Sequence, residues 1–165
     1  MDNLQAAPGT FCTSKAGLAA GTTSTYSTTG ATLYCIRGKA YSAAAAANAA
    51  TSTTDANTGL AFPAQAIGTG SVYVFGYNAA GAVRVVQGQV VTLDASGAFA
   101  IAPQFPVIPD TVCAFGYLLV QLAPATAAVP AVAAWTFGAN NQAAVTGVTY
   151  QRQDLMTIPD RPQIT

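Results

Sequence analysis

The sequence predicts an all-β protein, either an antiparallel sandwich or a jelly-roll-like barrel. Two observations lead to this expectation. Segments rich in Val, Tyr, Phe and Thr, which favour strands, follow one another from Ala31 onward, and turn residues separate them at short intervals. In addition, one turn pattern occurs twice at a spacing of sixteen residues, as expected of consecutive β-hairpins.

The length of 165 residues suits one domain with a single core. Residues 1–30 are rich in Gly, Thr and Ser and have no sustained hydrophobic period, which predicts an extended N-terminal arm. This arm is either a disordered terminus or a segment ordered by a neighbouring subunit. Residues 31–165 form the β domain, and about 154–165 form an extended tail in which Pro159 and Pro162 forbid helix or central strand.

The predicted strands lie in short segments separated by turn residues. The segments are "TLYCIRGKAY", "SVYVFGY", "AVRVVQGQVVTL", "AFAIA", "TVCAFGYLLVQL", "AAWTFG" and "AVTGVTYQ". The exception is "SAAAAANAA", residues 42–50, where alanine favours helix but the segment is too short for a helix that is stable alone. A short helix and a loop both fit this segment.

The repeated turn pattern places Asn78 or Asp94 first and Gly81 or Gly97 fourth. This arrangement is typical of a type I turn that closes on a left-handed residue, a conformation that glycine adopts at little steric cost. The two turns therefore join three strands into an antiparallel meander, residues 72–77, 82–93 and 98–102.

The middle strand of this meander loses its alternation at residues 87–89, Gln-Gly-Gln, which lie between two pairs of valines. We expect a bulge or bend there. Such a break lets one long segment contribute to two sheets, as sandwiches and jelly rolls require.

Charge is scarce: 7% of residues are charged, six basic and six acidic, and the formal net charge is zero. A nucleic-acid or anionic-membrane partner is therefore not expected, because both require a basic patch. Arg37 and Lys39 form the densest basic cluster, which suits an exposed strand edge better than a polyanion site. The N-terminus does not resemble a signal peptide, and the longest apolar run, residues 117–123, is too short to span a membrane.

The sequence contains neither histidine nor glutamate. Triads of the Ser-His-Asp or Cys-His type are therefore excluded within one chain. Four of the aspartates suit turns, where their side chains bind nearby backbone amides, namely Asp55, Asp94, Asp110 and Asp160. We therefore expect that the protein is not an enzyme and that it has no catalytic residue, no cofactor and no metal site.

Three cysteines, Cys12, Cys35 and Cys113, are odd in number and lack metal-ligand spacing. Buried free thiols are the preferred interpretation, and a bridge between Cys12 and Cys35 is the alternative.

The aromatic residues Tyr73, Phe75, Tyr77 and Trp135 suit either a sugar-stacking platform or the core. We favour the second interpretation, in which Phe75 and Trp135 fill the core and the tyrosines lie at the edge of the sheet.

Over about residues 50–165 the chain resembles small virion proteins of tailed bacteriophages, described as head decoration, cement or head-fibre proteins. The motifs that carry this resemblance are "TTDANTGLAF", "VYVFGYNAAGAVRVVQGQVV", "APQFPVIPD", "CAFGYLLVQ" and "WTFGANNQAAVTGVTYQRQDLMTIPDRPQ", which occur together and in this order. The resemblance implies a place in the virion, on the outer capsid surface for a decoration protein, and no reaction. The lack of a signal peptide fits assembly in the bacterial host cytoplasm.

The expected function is therefore that of a non-enzymatic structural protein that decorates and stabilises a phage capsid. Its partners would be the major capsid protein and itself, because a weak alanine-rich core and few repelling charges favour a homotrimer. Within the tail, Pro159, Arg161 and Pro162 are the candidate interface residues, and Arg161 can bind a capsid carboxylate. The alternative is a fibre or adhesin module that binds a host surface or glycan. A cell-wall or polysaccharide hydrolase is disfavoured by the missing histidine and glutamate.

Overall fold

The computed structural model describes residues 9–124 and 134–156, and within them the protein is all-β, without a helix. In this part of the chain eleven strands form three antiparallel sheets, which do not close into a barrel. The predicted fold class is thus confirmed, and the arrangement is that of a sandwich.

The strands are short near the N-terminus and long in the centre of the chain. Their bounds are β1 Phe11–Cys12, β2 Leu18–Ala20, β3 Thr25–Thr28, β4 Thr32–Ile36, β5 Lys39–Ala43, β6 Ala49–Ala50, β7 Thr69–Asn78, β8 Val83–Gln87, β9 Val91–Thr92, β10 Val112–Leu122 and β11 Val148–Asp154.

Two of the sheets are small and come from the first 50 residues. The first N-terminal sheet has the order β1-β4-β5, and the second has the order β2-β3-β6. The third, called here the central sheet, has the order β11-β10-β7-β8, and β9 also pairs with β7.

The inner strands β7 and β10 are buried along almost their whole length because both faces of the central sheet are covered. On the first face, Tyr73, Phe75 and Tyr77 lie in one core cluster with side chains of the two N-terminal sheets, and Tyr73 packs there against Phe62, Trp135 and Phe137. On the second face, Val72 and Val74 pack in a separate cluster. Successive side chains of a strand point to opposite faces, so both faces draw on the same apolar run.

The second face is covered by the irregular chain between β9 and β10. Phe105 packs there with its ring edge toward Tyr117, at a centroid distance of 5.1 Å. Ile108 and Leu155 complete this cluster. Residues 99–109 therefore act as a third layer without forming a strand.

Strand β10 contains a bulge that the sequence did not predict. Ala114 pairs with Gly76 and Gly116 pairs with Phe75, so the register shifts at Phe115. The shift changes which residues of β10 face the first core cluster. Up to the bulge these are the odd-numbered Cys113 and Phe115, and after it they are the even-numbered Leu118, Val120 and Leu122.

Residues 9–30 do not form an extended arm. Cys12, Ala16, Leu18 and Tyr26 are buried in the first core cluster, and strands β1, β2 and β3 pair within the N-terminal sheets. The predicted boundary near residue 30 is wrong for these residues, because strands of two to four residues are too short to show a period in the sequence. Residues 1–8 lie outside the described residues.

Both predicted turns are present. The Gly81 N–H donates to the Asn78 carbonyl at 3.0 Å, and the Gly97 N–H donates to the Asp94 carbonyl at 3.0 Å. The φ angles of Gly81 and Gly97 are 76° and 85°. In each turn the first side chain also accepts hydrogen bonds from backbone amides two and four residues later.

The meander differs from the prediction beyond its first turn. The chain is interrupted at residues 88–90, where the Gly88 N–H donates to the Val72 carbonyl at 2.7 Å. However, β8 and β9 both pair with β7, so the segment stays in one sheet and does not contribute to two. The predicted strand at 98–102 is reduced to one bridge between Leu93 and Phe99.

Residues 44–48 are a loop, so the helical alternative for residues 42–50 is wrong. The loop is held to β3, because the Thr28 N–H donates to the Ala46 carbonyl at 2.8 Å and the Thr28 hydroxyl accepts from the Ala46 N–H at 2.9 Å. Pairing with β3 replaces the intrahelical hydrogen bonds that alanine would otherwise form.

Asp55 closes the outer edge of β8. Its Oδ2 accepts from the Gln87 N–H at 2.7 Å, while its Oδ1 accepts from the N–H groups of Asn57 and Thr58 at 2.8 and 3.0 Å. The Ala56 N–H donates to the Val85 carbonyl at 2.9 Å. The loop thus occupies backbone groups of β8 that would otherwise be open to another strand.

Replacing Gly81 or Gly97 with alanine should lower the free energy of unfolding by about 1–2 kcal/mol each, because an L-residue is strained in the left-handed region. An added Cβ has no contact closer than 3.9 Å at either site, so the loss reports backbone strain alone. Gly30→Ala is the control, since its nearest contact is 3.7 Å and its φ lies outside the left-handed region. Urea unfolding measures all three, and three equal midpoints would contradict the turn assignment.

Asp55→Ala should lower the free energy of unfolding by about 2–4 kcal/mol, because three backbone amides lose their acceptor. Asp55→Asn should lose less, since one amide oxygen can still accept. The comparison variant is Asp94→Ala, which removes a carboxylate from a similar but exposed turn and should have a smaller effect. Thermal melts rank the three variants, and an Asp55→Ala midpoint at or above that of Asp94→Ala would contradict this role.

Candidate interaction surface

The outward side of the first N-terminal sheet carries an exposed apolar surface. Phe11 on β1 pairs with Cys35 on β4, so these side chains share one face of the sheet. Leu33 lies two residues before Cys35 in β4 and therefore points to the same face. Phe11 is 43% exposed and Leu33 is 53% exposed. Ala40 and Ser42 on β5 pair with Cys35 and Leu33. We call these five residues the outer apolar face; none of them is charged.

The opposite side of the same sheet fixes this face in position. The Tyr34 ring stacks between Tyr41 and Tyr77, at centroid distances of 5.6 and 5.2 Å, and its hydroxyl donates to the Asn78 carbonyl at 2.9 Å. Burial raises the pKa of Tyr34. The sheet is therefore anchored to the central sheet through a neutral aromatic stack, and its other side is left to solvent.

The basic cluster at Arg37 and Lys39 lies at the hairpin between β4 and β5, and Lys39 is the exposed first residue of β5, an edge strand of the first N-terminal sheet, as predicted. Arg37 and Gly38 form a two-residue turn with φ angles of 51° and 79°, as a type I′ hairpin requires. The Arg37 guanidinium pairs with Asp110, and the Lys39 ammonium lies 5.5 Å from the centre of the Tyr41 ring. Because Asp110 balances the charge of Arg37, this cluster offers little to a polyanion.

A shallow groove of about 520 Å³ lies beside this hairpin, at the end of the central sheet. Its walls come from the Asp55 loop, the turn after Asn78 and the chain around Pro109. Both oxygens of Asp55 are engaged by backbone amides, so Arg84 is the charged side chain that the groove presents to solvent.

The aspartates in the described residues bind backbone groups or an arginine. Asp55 and Asp110 act as described above, and the Asp154 Oδ1 accepts from the Leu18 N–H at 2.8 Å. Asp94 lies in its exposed turn, where the hydrogen bond from the Ser96 hydroxyl and bonds from backbone amides lower the pKa of its carboxyl group. Each carboxylate therefore has a structural role.

The two predicted turns lie at opposite ends of the central sheet and do not form a joint site. Asn78 and Gly81 follow the end of β7, near the start of β10. Gly97 lies near the end of β10, where its carbonyl accepts from the Gln121 side chain at 3.0 Å. The candidate interface residues Pro159, Arg161 and Pro162, and the turn aspartate Asp160, lie outside the described residues.

The aromatic cluster belongs to the core. Tyr73, Phe75, Tyr77 and Trp135 are all buried, so they offer no ring face to a sugar, and the stacking-platform alternative is wrong for them. Tyr73 and Tyr77 also do not lie at the sheet edge, because β7 is an inner strand. The Trp135 indole N–H donates to the Asn141 carbonyl at 3.1 Å, and the Tyr73 hydroxyl donates to the Gln65 side-chain oxygen at 3.3 Å.

The three cysteines are free thiols, as predicted. Cys12 and Cys113 are buried with their sulfurs 3.5 Å apart, and Cys35 is half-buried. A Cys12–Cys35 bridge does not fit this sheet. Cys12 pairs with the inward-facing Tyr34, whereas Cys35 pairs with the outward-facing Phe11, so the two thiols point to opposite faces.

The contact between the two buried thiols makes them unequal. The hydrogen bond from Cys113 lowers the pKa of Cys12, whereas donating that bond, together with burial, raises the pKa of Cys113. Cys12 is thus the better nucleophile of this pair.

Protein prepared under reducing conditions and then freed of reductant should show one accessible thiol when folded and three when unfolded. Iodoacetamide should label Cys35 well before Cys12 or Cys113, because only Cys35 is partly exposed. Peptide mass spectrometry assigns the labels. Equal labelling rates for the three thiols in the folded protein would contradict the burial of the pair.

Among residues 9–124 and 134–156, no group of cysteine and aspartate side chains is arranged to hold a metal ion. This part of the chain also contains no helix long and apolar enough to cross a membrane. Comparison of the chain with protein-family models, with curated proteins and with solved structures finds no match.

Proposed function

We propose that the protein is a non-enzymatic structural protein of a tailed-phage virion, which docks on the outer capsid surface and reinforces it. The observation that supports this proposal best is the outer apolar face, an uncharged surface on a sheet that Tyr34 anchors to the central sheet. The resemblance of residues 50–165 to phage decoration and head-fibre proteins suggests the place of action.

The outer apolar face suits burial against another protein. Phe11, Leu33 and Cys35 are neighbours on one sheet face, and burying apolar surface contributes roughly 25 cal/mol per Å². Isolated exposed apolar residues are ordinary, but a contiguous uncharged group favours a protein contact. No charged side chain has to be desolvated when these five residues are covered, which lowers the cost of docking.

Oligomerisation would strengthen such docking. One face of five residues is small compared with a stable interface, so a single copy binds weakly. A homotrimer presents three faces together, and the linked contacts raise the overall affinity. The scarcity of charge, 7% of residues, also favours association between copies.

The C-terminal residues Pro159, Arg161 and Pro162 remain a second candidate contact with the major capsid protein. Arg161 supplies a guanidinium for a charge-assisted bond to a capsid carboxylate. Deleting residues 157–165 tests this contact while keeping β11 intact. Deleting residues 1–30 is not a comparable test, because it removes three strands that carry part of the core.

Leu33→Lys should reduce binding to phage particles that lack this protein by roughly tenfold or more, since the substitution loses apolar burial and buries a charge. Leu60→Lys is the matched control, because Leu60 is 70% exposed but lies outside the outer apolar face. Cosedimentation of labelled protein with the particles measures binding, and circular dichroism checks that both variants fold.

Cryo-electron microscopy of the reconstituted particles locates the bound protein. Threefold density on the head lattice, lost with Leu33→Lys and kept with Leu60→Lys, is the expected result. Equal binding of both variants would contradict the use of the outer apolar face. Density at the tail would replace the capsid proposal with the fibre or adhesin alternative.

A further inference from the structure

We propose that Cys12 and Cys113 form an intramolecular disulfide when the folded protein meets a peroxide-type oxidant, which cross-links β1 to β10. This inference is independent of the proposed function, because it concerns two residues inside the domain and is tested on the isolated protein.

The geometry brings together two thiols that are far apart in the chain. The Cys12 and Cys113 sulfurs are 3.5 Å apart, although the residues are separated by 101 positions. Both are buried, and Cys12 also donates to the Ala114 carbonyl at 3.3 Å, which holds its sulfur beside β10. A disulfide bond is about 2.05 Å long, so the sulfurs must approach by roughly 1.5 Å.

The strand that carries Cys12 is suited to this movement. Strand β1 has two residues and lies at the edge of the first N-terminal sheet, next to β4. In addition to the pairing of β1 with β4, the Cys12 N–H donates to the Met156 carbonyl at 3.2 Å. Short edge elements open locally at low free-energy cost, which admits a small oxidant and lets the sulfur shift.

The reaction can be written with hydrogen peroxide as the oxidant. The Cys12 thiolate attacks one peroxide oxygen, the O–O bond breaks, and Cys12 becomes a sulfenic acid as hydroxide leaves and takes up a proton. The Cys113 sulfur then attacks the Cys12 sulfur, loses its proton, and expels the hydroxyl group as a second water. Two thiols are oxidised to one disulfide, and one peroxide is reduced to two waters.

The positions of the three cysteines also explain why Cys12 would pair with Cys113 and not with Cys35. The hydrogen bond from Cys113 lowers the pKa of Cys12, which makes Cys12 the first nucleophile. Cys35 lies on the outward side of β4, whereas Cys12 points to the inward side of the sheet. Cys35 is therefore not the resolving thiol. In a reducing cytoplasm the pair stays open, and in an oxidising medium it closes.

The test treats the reduced, folded protein with hydrogen peroxide and then blocks the remaining thiols after unfolding. Before blocking, wild type and Cys35→Ser should each be lighter by two hydrogen atoms in intact mass. Digestion without reductant should then yield the Cys12 and Cys113 peptides joined by a disulfide. Cys12→Ser and Cys113→Ser should form no intramolecular bridge. In wild type, oxidation should raise the thermal midpoint by about 10 °C, because the bridge closes a loop of roughly 100 residues.

If Cys12→Ser or Cys113→Ser does not fold, wild type and Cys35→Ser still test whether the disulfide forms. Three blockable thiols after peroxide, a bridge that includes Cys35, or oxidation to sulfinic acid without a bridge would each overturn the proposal. A bridge that forms only after the protein is unfolded would overturn it as well, since the native contact would then have no part in it.

Discussion

The fold depends on one constraint, the burial of both faces of the strand pair β7 and β10. These strands consist almost wholly of apolar and small residues, so neither face of the pair can be left in water. The two N-terminal sheets cover the first face together with Phe62, Trp135 and Phe137, and residues 99–109 cover the second together with Leu155. The short N-terminal strands thus belong to the domain because they bury a large part of the first face of the central pair.

This arrangement explains which surfaces stay open. The N-terminal sheets use their inward side chains, such as Tyr34 and Ile36, for the core, so the outward side chains on the same strands face solvent. The edge of β8, in contrast, is closed by the Asp55 loop through backbone and carboxylate hydrogen bonds. The closed edge disfavours extension of the central sheet at β8, whereas the exposed apolar face can contact another protein through its side chains.

The two proposals use opposite sides of β1. Phe11 points outward into the outer apolar face, and Cys12 points inward to Cys113. A disulfide at Cys12 would attach β1 covalently to the central sheet and so hold Phe11 in place. Docking and oxidation are chemically separate, yet both depend on the pairing of this two-residue strand with β4.

The sequence by itself determined the all-β class, both hairpin turns and the free thiols. The first two follow from local patterns, namely segments of strand-favouring residues and the spacing from Asn or Asp to Gly. The free thiols follow from the odd number of cysteines and their spacing. Tertiary structure alone decided the membership of residues 9–30, the pairing of β8 and β9 with one strand, and the bulge at Phe115. It also decided that Phe11, Leu33 and Cys35 share a face and that Cys12 meets Cys113. These features arise from pairings between residues distant in the chain, and short strands of Gly, Thr and Ala carry no periodicity from which such pairings can be read.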